Sequence, residues 1–176
     1  MRIADIGATL ELRQSTIENA ITIEELARDY NVTPEAIGAV MQTGNQAGWL
    51  CEAAGRVLGF AMGERSSGEV VVVAVHPDCE RRGIGGAVLS RVQDWLFAVG
   101  HHRLWLRANP DPALRASGFY RRFGWVDSGR MLAGDIVLEL PRSVWMAVCY
   151  DPAGTIRCAG AHPQALIGPS ACVTRR

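Results

Sequence analysis

The feature that most constrains this chain is a run of β-branched residues that passes directly into glycines. Residues 69–75 read Glu-Val-Val-Val-Val-Ala-Val, and after His76-Pro77 come Asp-Cys-Glu-Arg-Arg-Gly-Ile-Gly-Gly. An uninterrupted valine run of this length suits a central strand buried on both faces. Gly83, Gly85 and Gly86 then permit a tight turn and a close backbone approach to a ligand. Beyond them the spacing predicts a helix from about Gly85 to Val99, with Val88, Val92, Trp95, Leu96 and Val99 in one apolar stripe.

Successive backbone N–H groups in such a turn point into one concavity, backed by the positive end of the helix dipole. Phosphate oxygens fit there, and Arg81 and Arg82 add charge where a diphosphate would lie. A nucleotide-binding Walker loop is excluded, because it needs a lysine and this chain has none. A dinucleotide fingerprint fits poorly: it wants glycine at Val88 and an acidic residue on the following strand, 104–108, which carries neither Glu nor Asp.

The rest of the chain supplies neighbours for this unit. Residues 2–6 read as a short edge strand, and apolar spacing from Thr16 to Gln42 is helical with a break near Asn31. Residues 49–53 and 57–62 read as two strands joined by a turn at Ala54-Gly55-Arg56. Strands follow at 104–108, 125–127 and 135–140, with a short helix over 112–122 between the first two. Residues 144–150 are apolar enough for one more strand, after which Gly, Pro, Ala and Cys dominate. The expectation is a mixed α/β sheet, one domain over 1–142, then an extension over 143–176 with an edge strand and a poorly ordered tail.

Within 176 residues the charge sums to zero but is unevenly spread. Residues 1–80 hold twelve acidic residues against five arginines, whereas residues 81–130 hold nine arginines against three acids. An anionic ligand at the basic segment and a cationic one at the acidic segment would suit this asymmetry. The longest apolar run, Val70 to Val75, is too short to span a bilayer, and the N-terminus has no basic-then-apolar signal pattern, so a cytoplasmic protein is expected. Five cysteines without CxxC or zinc spacing read as reduced, mostly buried thiols, and no metal is expected.

Glu80-Arg-Arg-Gly-Ile-Gly85, after the strand end Val75-His-Pro, resembles the acyl-CoA signature of the GNAT superfamily of N-acetyltransferases. A second stretch, Phe119-Tyr-Arg-Arg-Phe-Gly-Trp125, resembles that superfamily's aromatic motif. The resemblance implies the acyl-CoA N-acyltransferase fold: a mostly antiparallel sheet of about seven strands, flanked by helices, whose central strands splay after Val75 around acetyl-CoA. It further implies that Val73, Val75, Arg81, Arg82, Gly83, Ile84, Gly85, Gly86 and Asn109 hold the cofactor. By the same resemblance Tyr120 is the general acid for the departing thiolate, a backbone N–H near Val75 polarises the thioester, and Glu69 is the base. Glu80 stands where Gln or Arg is usual, and a carboxylate there repels phosphate unless it points away and Arg81 and Arg82 compensate.

The implied activity is direct transfer of an acetyl group to a primary amine of a small molecule or protein, without nucleic acid or membrane as partner. Deprotonating a lysine-like amine at pH 7 costs about 4.6 kcal/mol, which a general base must offset. A homodimer pairing through 144–150 is the expected assembly. The main rival is a helix-turn-helix regulator at 22–41, whose would-be recognition helix contains no Arg or Lys. A non-catalytic acyl-CoA sensor on the same fold is the other alternative.

Overall fold

The computed structural model describes residues 1–18, 21–149 and 173–175. Where an edge strand was expected at 2–6, the chain forms a 3₁₀ turn, Ile3–Asp5, that runs into helix α1, Ile6–Gln14. The cause is local: the Asp5 carboxylate accepts from the Arg2 backbone N–H at 2.6 Å, which curls the segment before it can extend. Ile6, Leu10 and Leu12 are then buried. Helix α2 begins only at Ile23 and ends at Tyr30, because Thr22 and Glu25 form a reciprocal capping box there. Asn31, at φ +53°, stops it in the left-handed region. Helix α3, Pro34–Gln42, starts as the sequence indicates, with Thr33 accepting from Ala36 N–H at 3.1 Å and Pro34 in the first turn.

Strands β1 (Gln46–Ala53), β2 (Arg56–Glu64) and β3 (Glu69–Val75) form an antiparallel meander. Helix α4, Ile84–Val99, lies behind it and buries Val88, Leu89, Val92 and Leu96 completely. Strand β4 (Arg103–Ala108) is followed by helix α5 (Arg115–Arg122), then strands β5 (Val126–Leu132) and β6 (Asp135–Pro141). Helix α5 starts later than the expected Pro112, because Asn109 and Asp111 accept from the N–H groups of Asp111 and Ala113 and hold a turn.

The sheet order is β5-β6-β4-β3-β2-β1-β7, where β7 is Val173–Arg175. Only β3 and β4 run parallel. The seventh strand is therefore at the C-terminus and pairs with β1, whereas the expected strand at 144–150 is helix α6, Arg142–Cys149. Val144 and Val148, four apart, straddle Gly124, and Trp145 packs on Phe97 with ring centroids 4.8 Å apart. That spacing matches one helical face, so the helix prevails over the strand. An edge-strand dimer through this segment is thereby withdrawn. The tail expected to be poorly ordered contributes β7, and residues 150–172 lie outside the described residues.

The two cores lie on opposite sides of the sheet. Leu26, Ile37 and Met41 of α2 and α3 pack with Leu50, Phe60, Met62 and Ala74, so both helices are sheet cover. Cys51 is disulfide-bonded, correcting the expectation that all thiols are reduced. It sits opposite Thr174 of β7, a long-range neighbour with no local sequence signal.

Candidate active site

The site follows from how β3 treats its two edges. Toward β2 it is paired along its length, from Glu69 opposite Glu64 to Val75 opposite Gly59. Toward β4 the register consists of Glu69 opposite Trp105 alone. The parallel strands thus part from the start of β3, well before Val75, and a wedge opens toward their C-terminal ends.

Which β3 groups face that wedge can be deduced. His76 N–H bonds Leu58 O at 2.8 Å, so its side of the backbone faces β2. Alternation by one residue turns the N–H of Val75 away from β2, and alternation by two more does the same for Val73. Both therefore point into the gap.

The turn after β3 continues this row of donors. Among the described residues, the backbone N–H groups of Arg81 to Gly86 have no acceptor, and the first bond of α4 runs from Ala87 N–H to Gly83 O at 3.0 Å. Gly83 (φ +80°) and Arg81 (φ +58°) are both left-handed. For a non-glycine such as Arg81 this is a strained conformation, of a kind that clusters at ligand sites. Arg81 and Arg82 are exposed at the rim, while the Ile84 side chain is buried and only its N–H faces the turn.

Gly85 and Gly86 have a packing reason in addition to the one their sequence suggests. A Cβ on Gly86 would stand 2.6 Å from Phe123 Cζ, and one on Gly85 3.3 Å from both Phe119 Cζ and Val75 Cγ2. These glycines let α5 sit against the start of α4, which brings the aromatic motif to the wedge. Gly124, at φ +83°, ends α5 and takes Val144 close behind it.

Tyr120 is partly buried on α5, edge-on to Phe119 and Trp125 at centroid distances of 5.1 and 6.1 Å. Burial pushes its hydroxyl up to about 12, and the Arg13 cation on α1 pulls the other way. Glu69 lies at the closed end of the wedge. Burial raises its pKa, Arg107 at 3.5 Å opposes the rise, and Glu64 adds to it. Asn109 is exposed just past β4, on the other bank from Val75, with its side-chain oxygen occupied by Asp111 N–H at 2.9 Å.

Three residues of this region have no local sequence signal, Arg13, Glu18 and Arg115, whereas Arg107 lies on the exposed alternation of β4. Glu80 accepts from the Arg115 guanidinium, which also bonds Glu18, so its carboxylate is turned toward α5.

A row of free donors with an arginine rim fits a phosphorylated, amide-bearing cofactor. The two Val N–H groups suit an amide chain and the turn suits a diphosphate. Among the described residues there is no cluster of side chains that would hold a metal. Nor is any helix long and apolar enough to cross a membrane.

Residues 16–125 match the model of the acetyltransferase (GNAT) family. The fold is that of several solved acetyltransferases. The paia N-acetyltransferase of Thermoplasma acidophilum, solved with coenzyme A, superposes with a TM-score of 0.66 at 14% identity, over 80% of this chain and 95% of that one. An N-acetyltransferase from Staphylococcus aureus Mu50 gives 0.63 at 19%, over 80% and 94%. The putative acetyltransferase yncA of Salmonella typhimurium, with its cofactor acetyl-CoA, gives 0.61 at 19%, over 80% and 90%. With its matched segment spanning the wedge, the turn and the aromatic helix, the chain belongs to the acetyltransferase (GNAT) family and is an acetyl-CoA-dependent N-acetyltransferase.

Proposed function

We propose that this enzyme moves the acetyl group to a primary amine of a small molecule or protein, by direct transfer with both substrates bound. The observation that carries the reading is a pair of unbonded donor sets on one side of the gap, the N–H groups of Val73 and Val75 on β3 and those of Arg81 to Gly86 in the turn that follows. When bound, acetyl-CoA supplies an activated acyl group on a thiolate leaving group. In this reading the turn residues Arg81 to Gly86 bind the diphosphate. Val73 and Val75 hold the amide arm from one bank and Asn109 from the other.

Tyr120 keeps its proton at any physiological pH, since burial raises its pKa to about 12. A proton in place is the precondition for a general acid toward a departing thiolate; the raised pKa makes the phenol a weaker donor, so in this reading it acts by its placement and not by its acidity. Glu69 has the opposite duty, taking a proton from the incoming ammonium. Its raised pKa makes it a better acceptor than a solvated carboxylate. The Arg107 cation opposes that rise and favours the ionised form. A cationic amine is favoured by the acidic N-terminal half, and helices α2 and α3 roof that approach. Placement in the cytoplasm belongs to this reading, and the Cys51 disulfide weighs on the other side.

The test is thiol release from acetyl-CoA in the presence of a panel of polyamines, amino acids, aminoglycosides and peptide N-termini. Release that depends on one amine class, with stoichiometric acetylated product, supports the reading. Tight acetyl-CoA binding with no amine-dependent release across the panel would instead favour a sensor.

A further inference from the structure

We propose that Arg115 is a positioning residue of the cofactor site: its guanidinium holds the Glu80 carboxylate against α5, neutralised and outside the diphosphate-binding turn. The inference rests on the functional reading above, and it explains how an acidic residue is tolerated at the head of that turn. Glu80 immediately precedes the six unbonded N–H groups of Arg81 to Gly86. An unrestrained carboxylate there would either fold onto those donors or repel the incoming diphosphate. In the structure it does neither. Both of its oxygens are taken by Arg115, Oε2 by Nη1 and Oε1 by Nη2, the latter at 3.2 Å.

Arg115 is itself fixed by a residue almost a hundred positions away. It opens α5, whose N-cap is Leu114, a side chain with nothing to offer the helix's free N–H groups. Glu18 supplies the missing acceptor. Its Oε2 takes the Arg115 backbone N–H at 2.9 Å and its Oε1 takes the Arg115 Nε. A carboxylate at a helix N-terminus also opposes the helix dipole favourably. With Nε and the main chain anchored by Glu18, the two terminal nitrogens are directed at Glu80. One guanidinium thus ties the phosphate turn, the segment after α1 and the helix carrying Tyr120. The hydrogen bonds that Arg115 donates to the Glu18 and Glu80 carboxylates hold it firmly protonated.

An exposed ion pair of this kind contributes little to folding. Its effect is on the field at the mouth of an anion site, and so on affinity for the ligand's diphosphate. The experiment is calorimetric titration of acetyl-CoA into the wild type, Arg115→Ala, Glu80→Gln and the double variant, with Arg115→Gln as a second replacement. We expect Arg115→Ala to weaken binding about tenfold, with the melting temperature within about 2 °C of wild type. Glu80→Gln should bind at least as tightly as wild type. In its background the Arg115 replacement should cost less than about twofold, because no carboxylate remains to neutralise. Equal losses in both backgrounds would show that Arg115 touches the ligand itself, and would overturn the proposal. An unchanged affinity in Arg115→Ala and Arg115→Gln would also overturn it. A wild type that binds no acetyl-CoA would remove the functional reading, and this inference with it.

Discussion

The two halves of the sheet are built to different specifications. In the β1-β2-β3 half, strands pair along their length and both faces are covered, by α4 on one side and by α1 to α3 on the other. In the β4-β6-β5 half the cover is incomplete and thins out toward the edge strand β5. Leu104, Leu106 and Leu140 are buried there, whereas Val126, Met131 and Leu132 on β5 are 52, 59 and 47% exposed. The halves meet at a single paired position, Glu69 with Trp105. A well-packed half holds its backbone donors in place and a second half stands away from it. The site is the gap that this inequality leaves.

Gly85→Asp puts a side chain between Val75 and Phe119 and a charge beside the donor turn. It should weaken acetyl-CoA binding by about a hundredfold or more in calorimetry. Retained affinity would move the phosphate site elsewhere. Tyr120→Phe should lower kcat about a hundredfold with the acetyl-CoA Kd within about twofold, the split expected of a proton donor. Equal loss of both would sink the general-acid role.

The packing contrast is the next largest. Gly63→Ala in the covered half drives a Cβ to 2.6 Å from Val92 Cγ1, and should cost about 1–3 kcal/mol in urea unfolding. Val126→Ser on the exposed edge strand β5 should fall within about 0.5 kcal/mol. Similar costs at both positions would erase the distinction between the halves.

Two titrations sharpen the chemistry. Glu69→Gln should lower kcat about tenfold and remove the acid limb of the rate profile. Arg107→Ala, which takes away the opposing cation, should move that limb to higher pH. A limb that stays put would detach Glu69 from the rate. Tyr120 gives the smallest effect. Its folded pKa, about 12, lies above its ordinary 10.0, so its contribution to stability is complete below pH 10 and lost as pH rises through 12. The stability difference between wild type and Tyr120→Phe should therefore shift in that direction between pH 9 and 11.

What was legible in the sequence divides along the same line. The valine strand, the glycine turn and helix α4 are a local unit, with a period and punctuation that admit one reading. The aromatic stretch 119–125 is likewise local. The misread segments are those where a side-chain contact decided between two local options. Asp5 capping Arg2 turned an apparent strand into helix, and Val144 with Val148 around Gly124 did the same for α6. The packing reason for Gly85 and Gly86 was hidden because Phe119 and Phe123 reach them from more than thirty residues away. The Glu18–Arg115–Glu80 cluster, spanning 97 and 35 positions, has no local signature at all.

The most direct test is amide hydrogen exchange with and without acetyl-CoA. The account predicts slowed exchange at Val73, Val75 and Arg81 to Gly86, with β1 and the β2 side of the meander unchanged. Protection confined to other segments, or none at saturating acetyl-CoA, would contradict the claim that the gap between β3 and β4 is where the cofactor binds.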